Sequence, residues 1–328
     1  MMRVDDLRCS DEVALAESRQ VGRAVRILVV INNRSGGSDG TLYAFIRALG
    51  ASGDEVTLRY IVEGTALDVL LHDARTFDRI VAAGGDGTVG AVAYTLRDTR
   101  IPILIYPAGT ANLLALNLGI PFDARVLAET VLTGAAKQFD LGEIELPSSG
   151  AEGFTRNGFA VVAGAGYDAT IMENAQPFKA ALGAAAYLVA AVTNMAPTTA
   201  CFELDLDGRK LSLEGIAVLI VNFGKLQFDM PVARGADPCD GLLDIAVVRS
   251  RNVAGLLPAV VSTLLDTRTD SATPGIDVFT ASRVTLSADP PLRMQYDGEV
   301  ADTMTPFSAR ALPGAATLLL PPDSPYWD

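Results

Sequence analysis

The first part of the chain alternates between apolar runs and segments with helical spacing. The runs "VRILVVI" at residues 25–31 and "IPILIY" at 101–106 are almost continuously apolar, which is typical of strands buried on both faces of a parallel sheet. The segments "TLYAFIRAL" at 41–49, which stops at Gly50, and "TALDVLLHDAR" at 65–75 repeat apolar positions at helical spacing. Because strands and helices alternate at short spacing, the pattern predicts a doubly wound α/β sheet.

The rhythm changes near residue 137, where most segments become strand-like and are separated by Gly, Pro, Asp and Asn. Two helical patterns interrupt this part, at residues 178–194 and 253–266. The pattern predicts a mainly antiparallel β-sandwich or flattened barrel, packed closely on the α/β part with a cleft between them. The predicted organisation is a lead-in over 1–24, an α/β domain over 25–136 and a β domain over 137–311.

The charge balance argues against nucleic acid as a partner. The 328 residues include 26 Lys and Arg against 39 Asp and Glu, which gives a formal net charge of −13. Such a surface repels nucleic acid as a whole and gains little from anionic membranes.

Cysteine and histidine usage narrows the chemistry and the compartment. The three cysteines are far apart without CxxC spacing, so we expect neither a disulfide framework nor a zinc site, and a reducing cytoplasm fits. The N-terminus lacks the apolar core of a secretory signal, and the apolar stretch at 180–192 is too short to span a bilayer and favours a buried helix. The one histidine, His72, lies in a helical pattern typical of a surface or half-buried residue, which argues against Ser-His-Asp chemistry and His-rich metal sites. Acid–base work is then left to a carboxylate, Lys, Tyr or Cys.

Three of the first four predicted strands end in loops rich in small residues. The loops are "NNRSGG" at 32–37, "GGDGT" at 84–88 and "PAGTAN" at 107–112. In a parallel sheet such loops gather at the carboxyl edge, where ligands bind, and glycine lets the backbone approach a ligand closely. The helix N-termini that follow would direct N–H groups at an anion. One loop alone would suggest a tight strand–helix turn, whereas the three together predict a polyphosphate cradle.

The glycine loops match neither the P-loop pattern nor G-x-G-x-x-G. Asp86, in the middle of the second loop, is unusual at an anion site because its charge repels phosphate. Two explanations stay open at this point: Asp86 holds a magnesium-bound water, or it caps its own helix.

The "GGDGT" loop resembles the signature of the diacylglycerol kinase catalytic domain superfamily, which includes sphingosine kinases and bacterial soluble lipid kinases. NAD kinases and phosphofructokinases share a similar motif. "NNRSGG" also resembles a motif of the superfamily, and further resembling elements follow in the same order: "PAGTANLLA" at 107–115, "GAGYDA" at 164–169, "FKAALGAAAYLVAAV" at 178–192, "PVARGADPCDGLLDIAVV" at 231–248 and "QYDGEV" at 295–300. The resemblance runs from about residue 25 to residue 321.

The resemblance implies a fold and an activity. The fold is a nucleotide-binding α/β domain, completed by residues 312–328, followed by a β-sandwich domain that takes the lipid. The activity is ATP- and magnesium-dependent phosphoryl transfer to a lipid hydroxyl. Diacylglycerol, a sphingoid base, phosphatidylglycerol and a ceramide-like lipid all stay open as acceptors. The implied setting is cytoplasmic and peripheral, with brief membrane contact, and a homodimer is compatible with it.

The resemblance also assigns roles to residues. Glu299 would be the general base, supported by Asp297, and Asp86 would position catalytic magnesium. Without the resemblance, "DGE" would indicate only a β-turn. The implied ATP-binding residues are Asn32, Ser35, Gly36, Gly84, Gly85, Asp86, Gly87, Thr88, Gly109, Thr110 and Asn112. A structural magnesium ion would be held by the Asp240 carboxylate and the main-chain oxygens of Asp237 and Leu242.

The sequence departs from the superfamily pattern near the implied phosphate site. Asn33 stands in place of a proline, Gly90 and Ala91 in place of Asn-Glu, Leu113 in place of an aspartate, and Tyr60 in place of a threonine. Polar groups near the phosphates are therefore missing. Two other functions stay open: a kinase of a soluble substrate such as NAD, and a nucleotide-binding regulator or inactive relative.

Overall fold

A computed structural model of the protein describes residues 24–33, 40–51, 53–147, 153–166, 198–224, 236–249 and 275–327. The N-terminal strands are β1 (Arg26–Ile31), β2 (Glu55–Tyr60), β3 (Arg79–Gly84) and β4 (Ile103–Pro107). The helices are α1 (Gly40–Gly50), α2 (Leu67–Leu70), α3 (Asp86–Thr95), α4 (Leu113–Asn117) and α5 (Ala124–Thr133), with a 3₁₀ turn at Ala74–Thr76. The strands that follow are β5 (Ala135–Pro147), β6 (Phe154–Phe159), β7 (Val162–Gly166), β8 (Ala200–Leu206), β9 (Arg209–Gly215), β10 (Ala217–Val221), β11 (Leu243–Val248), β12 (Ile276–Ala281), β13 (Arg283–Asp289), β14 (Arg293–Tyr296), β15 (Glu299–Met304) and β16 (Phe307–Leu320).

The N-terminal strands form a parallel sheet in the order β2-β1-β3-β4. Ile27 to Ile31 of β1 and Ile80 to Ala83 of β3 are buried without a polar interruption, as the apolar runs predict for strands covered on both faces. Their core includes residues of α1, α3 and α5, such as Phe45, Val92 and Leu127. The parallel order brings the ends of β1, β3 and β4 to one edge.

The C-terminal part is an antiparallel β-sandwich. One of its sheets has the order β12-β11-β10-β7-β14-β15. The facing layer includes β5, β8, β13 and part of β16, and the two layers share a core that contains Phe202, Ile220, Ile245 and Leu286. The predicted fold class, an α/β region followed by an antiparallel β-sandwich, is confirmed.

Strand β16 joins the two regions into one ten-stranded sheet. Near its start, Phe307 pairs with Leu286 of β13 in antiparallel register, and near its end, Leu318 pairs with Ile103 of β4 in parallel register. Strand β5 pairs with β16 in antiparallel register along most of its length, with an irregularity between Leu312 and Ala316. The two regions suggested by the sequence pattern therefore share one hydrogen-bonded sheet.

Two helices differ from the sequence pattern. The helix predicted over 65–75 is reduced to α2 and the 3₁₀ turn, because Arg59 donates to the Leu70 carbonyl at 2.6 Å and pairs with the Asp73 carboxylate at the break. Helix α5 was not predicted, although Asp123 marks its start: the Asp123 side chain accepts the first N–H groups of this helix.

The helical patterns at 178–194 and 253–266 lie outside the described residues. Within the part of the chain that the structure describes, no helix combines the length and apolarity needed to cross a bilayer.

Candidate active site

The "GGDGT" segment is the junction between β3 and α3. Gly84 ends the strand, Gly85 is the N-cap, and Asp86, Gly87 and Thr88 already form the first helical turn. A Cβ atom on Gly84 would lie 2.5 Å from Cβ of Thr88, so the turn closes this tightly only with glycine. The first N–H groups of a helix have no partner within it and point outward from its start. The junction can therefore offer N–H groups to an anion.

The "PAGTAN" loop is closed by its own asparagine. Asn112 adopts a left-handed conformation with φ of 50° and is buried. Its side chain accepts a hydrogen bond from Gly109 N at 2.7 Å and donates one to the Gly109 carbonyl at 2.8 Å. Thr110, which lies between Gly109 and Asn112 in this loop, is exposed. Asn112 therefore shapes the loop from within, and its side-chain amide is engaged with Gly109.

The two glycine loops are in direct contact. Ala108 N donates to the Gly84 carbonyl at 3.0 Å. A Cβ atom on Gly109 would lie only 2.4 Å from the Cα atom of Gly85. The backbones of two loops from different strands therefore meet at one point of the carboxyl edge.

Asp86 caps a helix, but not its own. Its two carboxylate oxygens accept the N–H groups of Leu113 at 3.0 Å and Leu114 at 2.8 Å, at the start of α4. Burial raises the pKa of Asp86, and these two donors oppose that rise. The aspartate thus ties the "GGDGT" turn to the helix that follows the second loop, which neither sequence-based explanation contained.

The first glycine loop is described only at its start. Asn32 donates from Nδ2 to the Thr88 hydroxyl at 2.8 Å, and its backbone N–H donates to Ala83. The structure therefore brings Asn32 to the "GGDGT" turn. Ser35 and Gly36 lie outside the described residues.

The "DGE" element is the tight turn between β14 and β15. Asp297 and Gly298 both have positive φ, at 44° and 84°, as a two-residue hairpin turn requires. The buried Asp297 carboxylate accepts N–H groups from Ala160 at 2.6 Å, Val161 at 2.8 Å and Val162 at 3.1 Å. Burial raises the pKa of Asp297 to about 7, while the three N–H donors act in the opposite direction. The aspartate anchors the turn to the β6–β7 connection.

Glu299 and the "GGDGT" turn lie side by side. A Cβ atom on Gly87 would be 3.1 Å from Cγ and 3.5 Å from Oε1 of Glu299. The Glu299 side chain is exposed, so its carboxylate is accessible beside the first turn of α3. The tertiary structure thus places the candidate base against the candidate phosphate loop.

The residues predicted for structural magnesium share one turn. Asp240 accepts the Leu242 N–H at 2.8 Å, and Asp237 accepts from Cys239 N through its side chain and from Asp240 N through its carbonyl. Among the described residues, no three His, Cys, Asp or Glu side chains are grouped to hold a metal. The predicted set relies on two main-chain oxygens, and it stays a prediction.

Two residues beside the site were missed as contributors. Gly90 lies against the Asp297 carboxylate. The sequence feature that could have indicated this role is a glycine inside a helix. Asn222 donates from Nδ2 to the carbonyls of Asp140 and Ala160, at 2.9 and 2.8 Å, while its own buried Oδ1 lacks a partner among the described residues. No sequence pattern indicates the role of Asn222, because all its contacts are tertiary.

Comparison with known proteins identifies the family. The family model of the diacylglycerol kinase catalytic domain matches residues 26–144, and that of the YegS C-terminal NAD kinase beta sandwich-like domain matches residues 160–320. A protein of Pseudomonas fluorescens strain Pf-5 named "Probable lipid kinase YegS-like" is 30% identical over 295 residues, covering 86% of this chain and 91% of that protein. The chain belongs to the diacylglycerol kinase catalytic domain family, which is a family of lipid kinases.

Three further proteins are similar to this chain. A Mycobacterium tuberculosis H37Rv protein named "Diacylglycerol kinase" is 28% identical over 266 residues, covering 76% of this chain and 82% of that protein. A Synechocystis protein of uncharacterized function is 30% identical over 251 residues, but the chain spans only 54% of its length. A crystal structure described as a diacylglycerol kinase from Bacillus anthracis Sterne superposes with a TM-score of 0.70 at 22% identity, covering 90% of this chain and 97% of that one, and it supports the fold.

Proposed function

We propose that the protein transfers the γ-phosphoryl group of ATP to the hydroxyl of a lipid, with Glu299 as the general base. The observation that carries the proposal is the position of the Glu299 side chain, which lies against Gly87 in the first turn of α3. A base must stand within reach of both the acceptor hydroxyl and the phosphoryl group that the hydroxyl attacks. Family membership supports the use of ATP as the donor.

The glycine loops are the proposed phosphate site. N–H groups at the start of α3 and the contact between Gly85 and Gly109 support binding of the ATP phosphates at this edge, with Thr88, Thr110 and the Asn112-closed loop beside them. Asn32, held at Thr88, would line the nucleotide pocket, together with Ser35 and Gly36.

Asp86 suits a contact to magnesium through water. Its carboxylate accepts the N–H groups of Leu113 and Leu114, and a lone pair that remains can accept a hydrogen bond from a metal-bound water. A magnesium ion would neutralise charge on the phosphates. For a second, structural magnesium ion we propose the Asp240 carboxylate with the carbonyl oxygens of Asp237 and Leu242, a set made only of the oxygen ligands that magnesium prefers.

The proposed reaction forms one bond to the γ-phosphorus and breaks another. As the lipid hydroxyl oxygen bonds to the γ-phosphorus, its proton passes to a carboxylate oxygen of Glu299. The bond from the γ-phosphorus to the bridging oxygen breaks, and ADP leaves with the electron pair of that bond. Asp297 holds the turn that carries Glu299, because three backbone N–H groups bind its carboxylate.

The proposed organisation follows the predicted boundaries. Residues 25–136 with 312–328 would bind the nucleotide, and residues 137–311 would receive the lipid. The pairing of Leu318 with Ile103 supports the return of the last segment to the first sheet. A cytoplasmic protein in brief contact with the membrane surface suits this activity, and a homodimer is a further expectation that sedimentation would check.

The acceptor is tested directly with γ-labelled ATP, magnesium and mixed micelles of diacylglycerol, a sphingoid base, phosphatidylglycerol or a ceramide. NAD is included as a soluble acceptor. Label in the organic phase with one of the lipids, diacylglycerol first among them given the family, supports the proposal. Label on NAD alone, or ATP binding with no labelled product, contradicts it and favours one of the two alternative functions.

A further inference from the structure

One face of helix α3 has no side chains where the "DGE" turn lies against it. Gly87 and Gly90 are three residues apart, and residues at this spacing share a helix face. Glu299 lies on Gly87, and Asp297 lies on Gly90: a Cβ atom on Gly90 would be 2.5 Å from Oδ2 of Asp297. The carboxylates of the turn therefore contact the helix at two successive glycines.

Hydrogen bonds to the β6–β7 connection hold the Asp297 carboxylate beside Gly90. The Oδ2 atom accepts the Ala160 N–H at 2.6 Å, and Ala160 N itself would be 3.4 Å from a Cβ atom on Gly90. Ala160 is held from its other side, because its carbonyl accepts a hydrogen bond from Asn222 Nδ2 at 2.8 Å. Asn222 N also donates to the Val161 carbonyl at 2.9 Å. The superfamily pattern has an asparagine at position 90, but in the arrangement of this chain a side chain there would displace the turn rather than the β6–β7 connection.

We infer that Gly90 is a positioning residue for phosphoryl transfer: its missing side chain lets the Asp297 carboxylate seat between α3 and Ala160, and this seat holds Glu299 beside Gly87. The effect on phosphoryl transfer rests on the proposed function. The position of the Asp297 carboxylate between α3 and Ala160, called the seat below, does not depend on it. Gly90 acts through Asp297 and contacts no substrate.

The seat is tested first without any activity measurement. In Gly90→Ala, hydrogen exchange of the Ala160, Val161 and Val162 amides is expected to accelerate at least tenfold, because the new methyl group displaces the carboxylate that they bind. The matched control is Gly50→Ala, at the end of α1, where a Cβ atom meets nothing within 4 Å. Unchanged exchange in Gly90→Ala would overturn the inference.

A double-variant cycle tests whether Gly90 acts through Asp297. The second variant is Asp297→Gly, which removes the carboxylate and tolerates the positive φ at this position. We expect Gly90→Ala to lower kcat by about tenfold to a hundredfold with the KM for ATP little changed, since a displacement of about 1 Å costs that much. Gly90→Ala combined with Asp297→Gly should be no slower than Asp297→Gly alone.

The other outcomes are distinguishable. If the two substitutions lower kcat by factors that multiply in the double variant, the inference is overturned, because Gly90 then acts independently of Asp297. If Gly90→Ala does not fold, the double variant should fold as well as Asp297→Gly, and its failure would overturn the inference too. Accelerated exchange in a protein whose wild type phosphorylates no lipid would keep the seat and reject the proposed function instead.

Discussion

Gly85 and Gly109 touch through their backbones: a Cβ atom on Gly109 would lie 2.4 Å from Cα of Gly85 and 3.0 Å from Oδ1 of Asn112. This contact brings the loops that follow β3 and β4 together at one edge of the sheet, beside the free N–H groups of the first turn of α3. Because any side chain at position 109 must push the loops apart, the geometry of the proposed phosphate site depends on this glycine.

Gly109→Ala is expected to weaken ATP binding. The added methyl group overlaps backbone atoms that cannot rotate away, and overpacking of this kind costs about 1–3 kcal/mol of stability. ATP affinity measured by calorimetry should fall at least severalfold, and the melting temperature should fall with it. Gly40→Ala, where a Cβ atom meets nothing within 4 Å, should change neither. Unaltered ATP binding in Gly109→Ala would show that this loop contact is unimportant.

Glu299→Gln is expected to abolish most phosphoryl transfer and to leave ATP binding intact. The amide keeps the shape of the side chain but cannot take the hydroxyl proton, and general base catalysis contributes about 10²–10⁴-fold to a rate. The measurement is kcat with the best lipid acceptor, beside ATP affinity. Glu129→Gln, an exposed glutamate of α5, is the control and should behave as wild type. A Glu299→Gln protein with full activity would require another base.

Asp86→Ala is expected to affect both stability and activity. It leaves the N–H groups of Leu113 and Leu114 without their acceptor, which costs about 1–3 kcal/mol in the free energy of unfolding. It also removes the proposed water-mediated contact to magnesium, so phosphoryl transfer should fall and require more magnesium. The readouts are urea unfolding and the magnesium dependence of the rate.

Asp123→Ala separates the two consequences of losing Asp86. Asp123 accepts the N–H groups of Arg125 and Val126 at the start of α5, so the same kind of helix cap is lost. This variant should lose stability while its rate at saturating ATP stays unchanged. An equal loss of activity in both variants would mean that Asp86 acts only as a cap.

The Arg59–Asp73 pair is expected to make stability depend on acid pH. Arg59 donates two hydrogen bonds, at 2.6 and 2.7 Å, and lowers the pKa of Asp73 from 3.8 to about 2. Since the folded state favours the ionised carboxylate, this stabilisation is present above pH 3.8 and is lost as the pH falls towards 2. Arg59→Gln should therefore be less stable than wild type near pH 6, and the difference should narrow on acidification.

Arg26→Gln is the control for this prediction. Arg26 also lies over the Phe77 ring, but its ion pair with Glu55 is looser, at 3.5 Å, and exposed. Urea unfolding between pH 6 and pH 3 measures both variants. A difference between Arg59→Gln and wild type that stays constant over this range would show that Asp73 is not the cause.

Local pattern was sufficient for much of the fold. The apolar runs of β1 and β4 identified buried parallel strands because burial on both faces requires an uninterrupted apolar sequence. The prediction of one helix over 65–75 was wrong in length, because Arg59 of strand β2 binds the Leu70 carbonyl. A contact of this kind leaves no periodic trace in the sequence.

The candidate site also has features that the sequence predicts and features that it does not. Glycine loops after buried strands predict where N–H groups gather, and the structure brings "GGDGT" and "PAGTAN" together there. The partner of Asp86 could not be predicted, because both "its own helix" and "a magnesium-bound water" satisfy a lone aspartate in a turn. Its contact with Leu113 and Leu114 depends on how α3 and α4 lie at the sheet edge.

The sequence by itself determined the elements, the fold class and the glycine loops, because backbone conformation and burial are set by residue type and periodicity over a few neighbours. Only the tertiary structure decided that Glu299 lies on Gly87, that Asp297 lies on Gly90, and that β16 runs through both regions. These contacts join residues far apart along the chain. They depend on the packing of whole elements, which short-range pattern does not encode.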